Sequence, residues 1–127
     1  MKQQVSNPLA EHNPRNLPIE EQKEWFKQQI SLYYAKVRQL KEYIFKRQNE
    51  FLKRTWQNSR LSYKAMGLKG KEQAEALKKW RKDYKELTEI YCDIGSTQVS
   101  YYISLQILEE LIAERKRLYK KGGFVNE

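Results

Sequence analysis

Beyond Pro18 the sequence has no proline: Pro8, Pro14 and Pro18 are the only three in 127 residues. Everything after them is free of the residue that breaks helices most reliably. A single Cys and a single His exclude a disulfide framework and a closed zinc site, which takes about four Cys or His ligands. There is no run of about 18 apolar residues, and the stretch MKQQVSNPLAEHNP has neither an apolar segment nor a small-residue cleavage site. The expectation is a soluble, non-secreted chain with no membrane insertion. Strict apolar/polar alternation between hairpin turns is also missing, which leaves strands without a foothold.

What remains is helical. The prolines share the first 18 residues with Asn7, Asn13 and Asn16, a mixture that favours an extended arm over 1–18. Gly67, Gly70, Gly95, Gly122 and Gly123 then punctuate the chain as breakers, predicting helices over roughly 19–66, 71–94 and 97–121. Asn16 is expected to cap the first, with Pro18 in its first turn and Glu20 and Glu21 complementing the dipole. Ser96 or Thr97 is expected to cap the third. Apolar residues follow helical spacing throughout: Phe26, Ile30, Tyr33, Val37, Leu40 and Ile44 in the first; Leu77, Trp80, Tyr84, Leu87, Tyr91 and Ile94 in the second; Tyr101, Leu105, Leu108 and Ile112 in the third, widened by Ile103, Ile107 and Leu111. The fold class is all-α, a three- or four-helix bundle over 19–121 with a short tail at 122–127. Unbroken, the first helix would run about 70 Å against about 36 Å for the others, so either something beyond the chain's own core covers the excess or the helix breaks, the place for a break being near Asn58, Ser59 and Ser62, whose side chains compete for backbone bonds.

Positive charge is regional. The chain has 25 Lys and Arg against 16 Asp and Glu, net +9, with pI near 9.6. Residues 1–35 are neutral, residues 36–82 hold fifteen basic and four acidic groups, and residues 83–127 hold six and eight. A net +11 in 47 residues points to an anionic polymer. At 100° per residue, Lys46, Lys53, Arg60 and Lys64 lie within about 40° of one another, with Phe45, Leu52, Trp56 and Tyr63 forming an aromatic stripe away from them. The seam of Phe26, Tyr33 and Leu40 continues as Arg47 and Arg54. Two unpaired guanidinium groups are costly to bury, so this part of the seam is expected to meet solvent or an anion. Asn49, Gln57 and Asn58 add neutral donors beside the rail.

Enzyme chemistry finds no constellation. His12 sits in the arm without a carboxylate to orient it, and Cys92 is most simply a small buried helix residue. Glu109 and Glu110 lack a Glu-x-x-His motif. Gly67-Leu68-Lys69-Gly70-Lys71 is too short for a phosphate-binding loop and is expected to be an interhelical turn. In Thr88–Leu105 the similarity to a helix-turn-helix is superficial: Tyr91 stands where Ala is usual, and Val99 comes about two residues early. The helix 99–113 carries Glu109 and Glu110 where an interfacial membrane helix favours Lys and Arg. No catalytic residue, cofactor or metal is called for.

A Pro- and Asn-containing arm, one very long basic helix and a compact helical bundle in about 130 residues together resemble the major capsid proteins of filamentous and rod-shaped archaeal viruses with linear double-stranded DNA. The resemblance lies in architecture, length and charge distribution, with no shared motif. It implies a capsid subunit of the virion that wraps double-stranded DNA, with itself or a related subunit, in a helical nucleocapsid. Combined with the charge pattern, it assigns phosphate contacts to Lys46, Arg47, Lys53, Arg54, Arg60, Lys64, Lys71, Lys78 and Lys82. Subunit packing falls to Phe45, Leu52, Trp56, Tyr63, Tyr101 and Leu105. The alternative is a small viral or phage accessory module in the cytoplasm, docking on an acidic protein or RNA.

Overall fold

A computed structural model describes residues 7–11 and 14–120. It contains a short helix α1 (Pro8–Glu11), a single 3-10 turn (Pro14–Asn16), and two long helices, α2 (Ile19–Met66) and α3 (Gly70–Lys120). No strand occurs among the described residues, and the fold class is all-α. His12 and the tail 122–127 lie outside the described residues.

The start of α2 is set by Pro18, whose carbonyl accepts the Gln22 N–H at 2.9 Å. Glu20 and Glu21 occupy the first turn. Asn16 does not cap it, because it belongs to the 3-10 turn; the Gln22 amide instead donates to the Leu17 carbonyl at 2.8 Å and to that of Arg15 at 3.3 Å. Helical backbone continues unbroken through 58–62. Asn58 does not compete for it because its amide donates across to Asp83 at 3.1 Å and to the Trp80 carbonyl at 3.4 Å.

Gly67, Leu68 and Lys69 form the expected interhelical turn, with the Gly67 and Leu68 N–H groups returning to the carbonyls of Lys64 and Ala65. Gly70 follows at φ 62°, a left-handed conformation that costs any residue with a Cβ. The expected division at Gly95 is absent, and the two shorter helices are one. A helical glycine costs only about 1 kcal/mol, which the burial of Ile90, Ile94 and Thr97 around it outweighs. The two side chains assigned to capping instead bond backward inside α3: the Thr97 and Ser96 hydroxyls donate to the Asp93 carbonyl at 2.8 and 3.1 Å.

Two compact units divide the chain, one of residues 42–97 and one built from segments on either side of it. In the second, residues 19–41 of α2 and 98–120 of α3 enclose Phe26, Ile30, Tyr33, Ile107, Leu108 and Leu111, with Leu118 beside them and Leu9 from α1 against the cluster. The Asn7 amide donates to Glu110 at 3.0 Å, and Arg15 pairs with Glu114 at 2.9 Å, fastening the arm to α3. Burial of Tyr33, and then the charge of Glu11, holds its hydroxyl pKa above the ordinary value. The third-helix stripe is only partly as expected: Leu108 is buried, whereas Tyr101, Leu105 and Ile112 are half-buried and Ile103 is exposed.

The unit of 42–97 is an antiparallel pair, as the cross-helix partners 43 with 93, 54 with 83 and 65 with 73 require. Its seam on α3 is Leu87, Ile90, Ile94 and Thr97. Tyr84 and Tyr91, expected in that seam, are exposed, because they stand about 80–90° around the helix from it. Cys92 is likewise exposed, pointing about 170° away from the contact, so the buried position expected of it is corrected.

Candidate nucleic-acid interface

Seven of the nine cations assigned to phosphates are exposed in the unit of 42–97: Lys46, Lys53, Arg60, Lys64, Lys71, Lys78 and Lys82. None of the seven has an ion pair among the described residues. Relative to the α2–α3 contact direction, the first four stand about 100–145° around α2, and the last three about 110–150° around α3. In an antiparallel pair equal rotations lead to the same flank, so both rails border one side of the unit. Lys79, Arg81 and Lys85, which the α2 pattern did not single out, join Lys78 and Lys82 around an open depression on α3. The signal for them was the density of Lys and Arg between 71 and 85.

The remaining two cations are engaged within the chain, which corrects the expectation that they meet solvent or an anion. Arg54 donates to Asp83 at 2.9 Å and to Glu86 at 2.8 Å. Arg47 donates to Asp93 at 2.9 Å and to Glu50 at 2.7 Å, and the Tyr43 hydroxyl donates to the same Asp93 carboxylate at 2.5 Å. Their seam position was read correctly; the carboxylates that make it tolerable stand on α3, where a pattern on α2 alone does not show them. The hydrogen bonds that Arg54 donates to Asp83 and then to Glu86 hold its pKa above the ordinary value, so the guanidinium stays charged.

The flank away from the rails is aromatic. Phe51 and Tyr91 rings lie 5.7 Å apart, Trp80 and Tyr84 5.6 Å apart. Phe51, Tyr84, Leu87, Thr88 and Tyr91 line a shallow groove of about 260 Å³. On the outer face of α2, Phe45, Leu52, Trp56 and Tyr63 are all exposed. Tyr101 and Leu105, assigned with them to subunit packing, are half-buried and offer less surface to a neighbour than Val99, Tyr102 and Ile103, which are exposed on the same helix.

This arrangement suits a polyanion. Exposed cations seven residues apart recur about every 10.5 Å along a helix, while duplex DNA presents a charge about every 1.7 Å of its axis. A phosphate is therefore in reach of each cation wherever the helix is laid, and no base-reading set is needed. No group of three or more metal-ligating side chains occurs among the described residues, and no helix among them is long and apolar enough to cross a membrane. No protein-family model, curated protein or solved structure matches the chain.

Proposed function

We propose that the chain is a sequence-independent nucleic-acid-binding structural protein, a capsid or nucleocapsid subunit that packages double-stranded DNA in a helical assembly. The observation that carries this reading is the gathering of seven exposed, unpaired cations from two helices on one flank of residues 42–97. Each neutralises a phosphate and releases condensed counterions. Arg47 and Arg54 hold the two helices together so that the rails stay side by side. Neighbouring copies complete the helical bundle by covering the apolar faces left open, and the protein resides in the virion. The contacts are to phosphates, so affinity is the same for unrelated sequences.

The test is binding to a long duplex across a salt series, with light scattering recorded in the same samples. The wild type is expected to show a steep salt slope and growth into large, saturating assemblies. Replacing Lys53, Arg60 and Lys64 by Gln is expected to reduce the slope by about 2.7, at about 0.9 per phosphate contact. An unchanged slope and affinity in a folded triple variant removes the rail from the reading. Weak binding by the wild type without assembly assigns the charge to an acidic protein partner instead.

A further inference from the structure

Each long helix carries a second apolar seam that none of the described residues covers. On α2 it runs through Phe45, Leu52, Trp56 and Tyr63, which are between 60 and 82% exposed. On α3 it runs through Val99, Tyr102 and Ile103, all exposed. The two seams lie in stretches of opposite charge. Residues 43–71 hold eight Lys and Arg, of which Arg47 and Arg54 are paired within the chain, and one acidic residue, Glu50, whereas residues 98–114 hold Glu109, Glu110 and Glu114 and no Lys or Arg. Glu109 borders the α3 seam and is exposed.

We infer that these seams are the two halves of one contact, the outer face of α2 in one copy docking on the outer face of α3, residues 99–110, in the next. This rests on the helical assembly proposed above and names the contact that builds it. An α2 face paired with its own copy in antiparallel fashion would set one lysine rail against another, a like-charge arrangement; pairing with the α3 face sets apolar side chains against apolar side chains and brings no second rail beside the first, which stays open to phosphate. Area is also sufficient. Aromatic side chains bury about 150–250 Å² each, so the two seams together contribute roughly 900 Å² of apolar surface. With a bordering polar rim this reaches the about 1,200 Å² at which stable interfaces begin. A contact between two different faces is heterologous, and unless the rotation closes it generates an open helical polymer.

The experiment is sedimentation velocity on the full-length chain without nucleic acid, using Trp56→Asp and Ile103→Asp, each checked for helicity by circular dichroism. Val99→Asp, at a more exposed position of the α3 seam, is the second variant should Ile103→Asp not fold. Wild type is expected to self-associate, and either variant alone to lose association about thirtyfold or more, as for a central interface residue. An equimolar mixture of the two variants is expected to stop at dimers, because one intact α2 face meets one intact α3 face. Monomeric wild type, or variants that assemble like it, overturn the contact. Loss with Trp56→Asp but not with the α3 variants assigns the α2 face to its own copy and overturns the head-to-tail arrangement. Binding of wild type, Ile103→Asp and Val99→Asp to a short duplex is measured in parallel: tight binding, kept in the two α3 variants, is expected if the nucleic-acid reading holds, and weak binding by the wild type shows a failure of that reading separately.

Discussion

Replacing Arg54 by Ala should destabilise the protein by about 2 kcal/mol. Two charge-assisted bonds are lost, to Asp83 at 2.9 Å and to Glu86 at 2.8 Å. The Glu86 side chain is half exposed, and solvent screening limits its share to about 0.5 kcal/mol. Arg54 and Asp83 are only 25 and 20% exposed, so that bond falls in the range of about 1.5–3 kcal/mol for hydrogen bonds to charged groups. Asp83 keeps the Asn58 amide at 3.1 Å, which places the loss in the lower half of the range. Converting both partners to Leu removes the stranded carboxylate as well as the guanidinium. The Arg54→Leu/Asp83→Leu protein should therefore be more stable than Arg54→Ala, falling short of wild type by about 1 kcal/mol for the buried Asn58 amide that loses Asp83. Urea unfolding followed by far-UV circular dichroism on wild type, both single variants and the double variant gives the cycle. The raised Arg54 pKa leaves its contribution complete at every pH below the ordinary arginine value, so the cycle reads the same at pH 6 and pH 8 as far as this group is concerned. Arg54→Ala within about 0.5 kcal/mol of wild type, or a double variant less stable than Arg54→Ala, would refute the reasoning.

Two glycine substitutions should have opposite signs in the same assay. Gly70→Ala is expected to cost about 1–2 kcal/mol, wholly from its positive φ, since an added Cβ meets nothing within 4 Å. Gly95→Ala, in mid-helix with equally open space, is expected to gain about 0.5–1 kcal/mol. Tyr33 predicts an alkaline effect: its pKa is raised in the folded state, so the folded chain holds this proton more tightly. The contribution is complete below about pH 10, the unfolded value, and is lost as pH rises through the folded one. Wild type should thus lose more stability between pH 9 and 11 than Tyr33→Phe does, and equal losses would contradict the assignment.

How much of this was legible beforehand varied with how local the cause was. The bounds of α2 follow from proline placement and from the glycine turn at 67–70, both local, and 19–66 was read directly. The continuity of α3 through Gly95 was not legible, because a glycine penalty is visible in the sequence while the burial of Ile90, Ile94 and Thr97 that offsets it depends on what α2 brings alongside. The rail and stripe on α2 followed from periodicity alone. Arg47 and Arg54 were placed correctly on the seam and wrongly left without partners, since Asp83, Glu86 and Asp93 lie some 30 to 50 residues further on. Tyr84, Tyr91 and Cys92 were misplaced because a stripe of apolar residues on one helix does not reveal which of its edges meets a neighbour.

The charged seam of residues 42–97 also fixes the alignment of its two helices. A wholly aliphatic seam repeating every seven residues can slide by one repeat and bury nearly as much. Here such a slip sets Arg54 against Ile90 or Ala76 in place of Asp83, leaving a part-buried guanidinium unanswered at a cost of several kcal/mol. Adhesive strength is given up for a single register, in which lysines on separate helices keep a constant spacing. The pair acts as a ruler: its graduations are the cations on one flank, and what holds them true is a row of ion pairs along the seam.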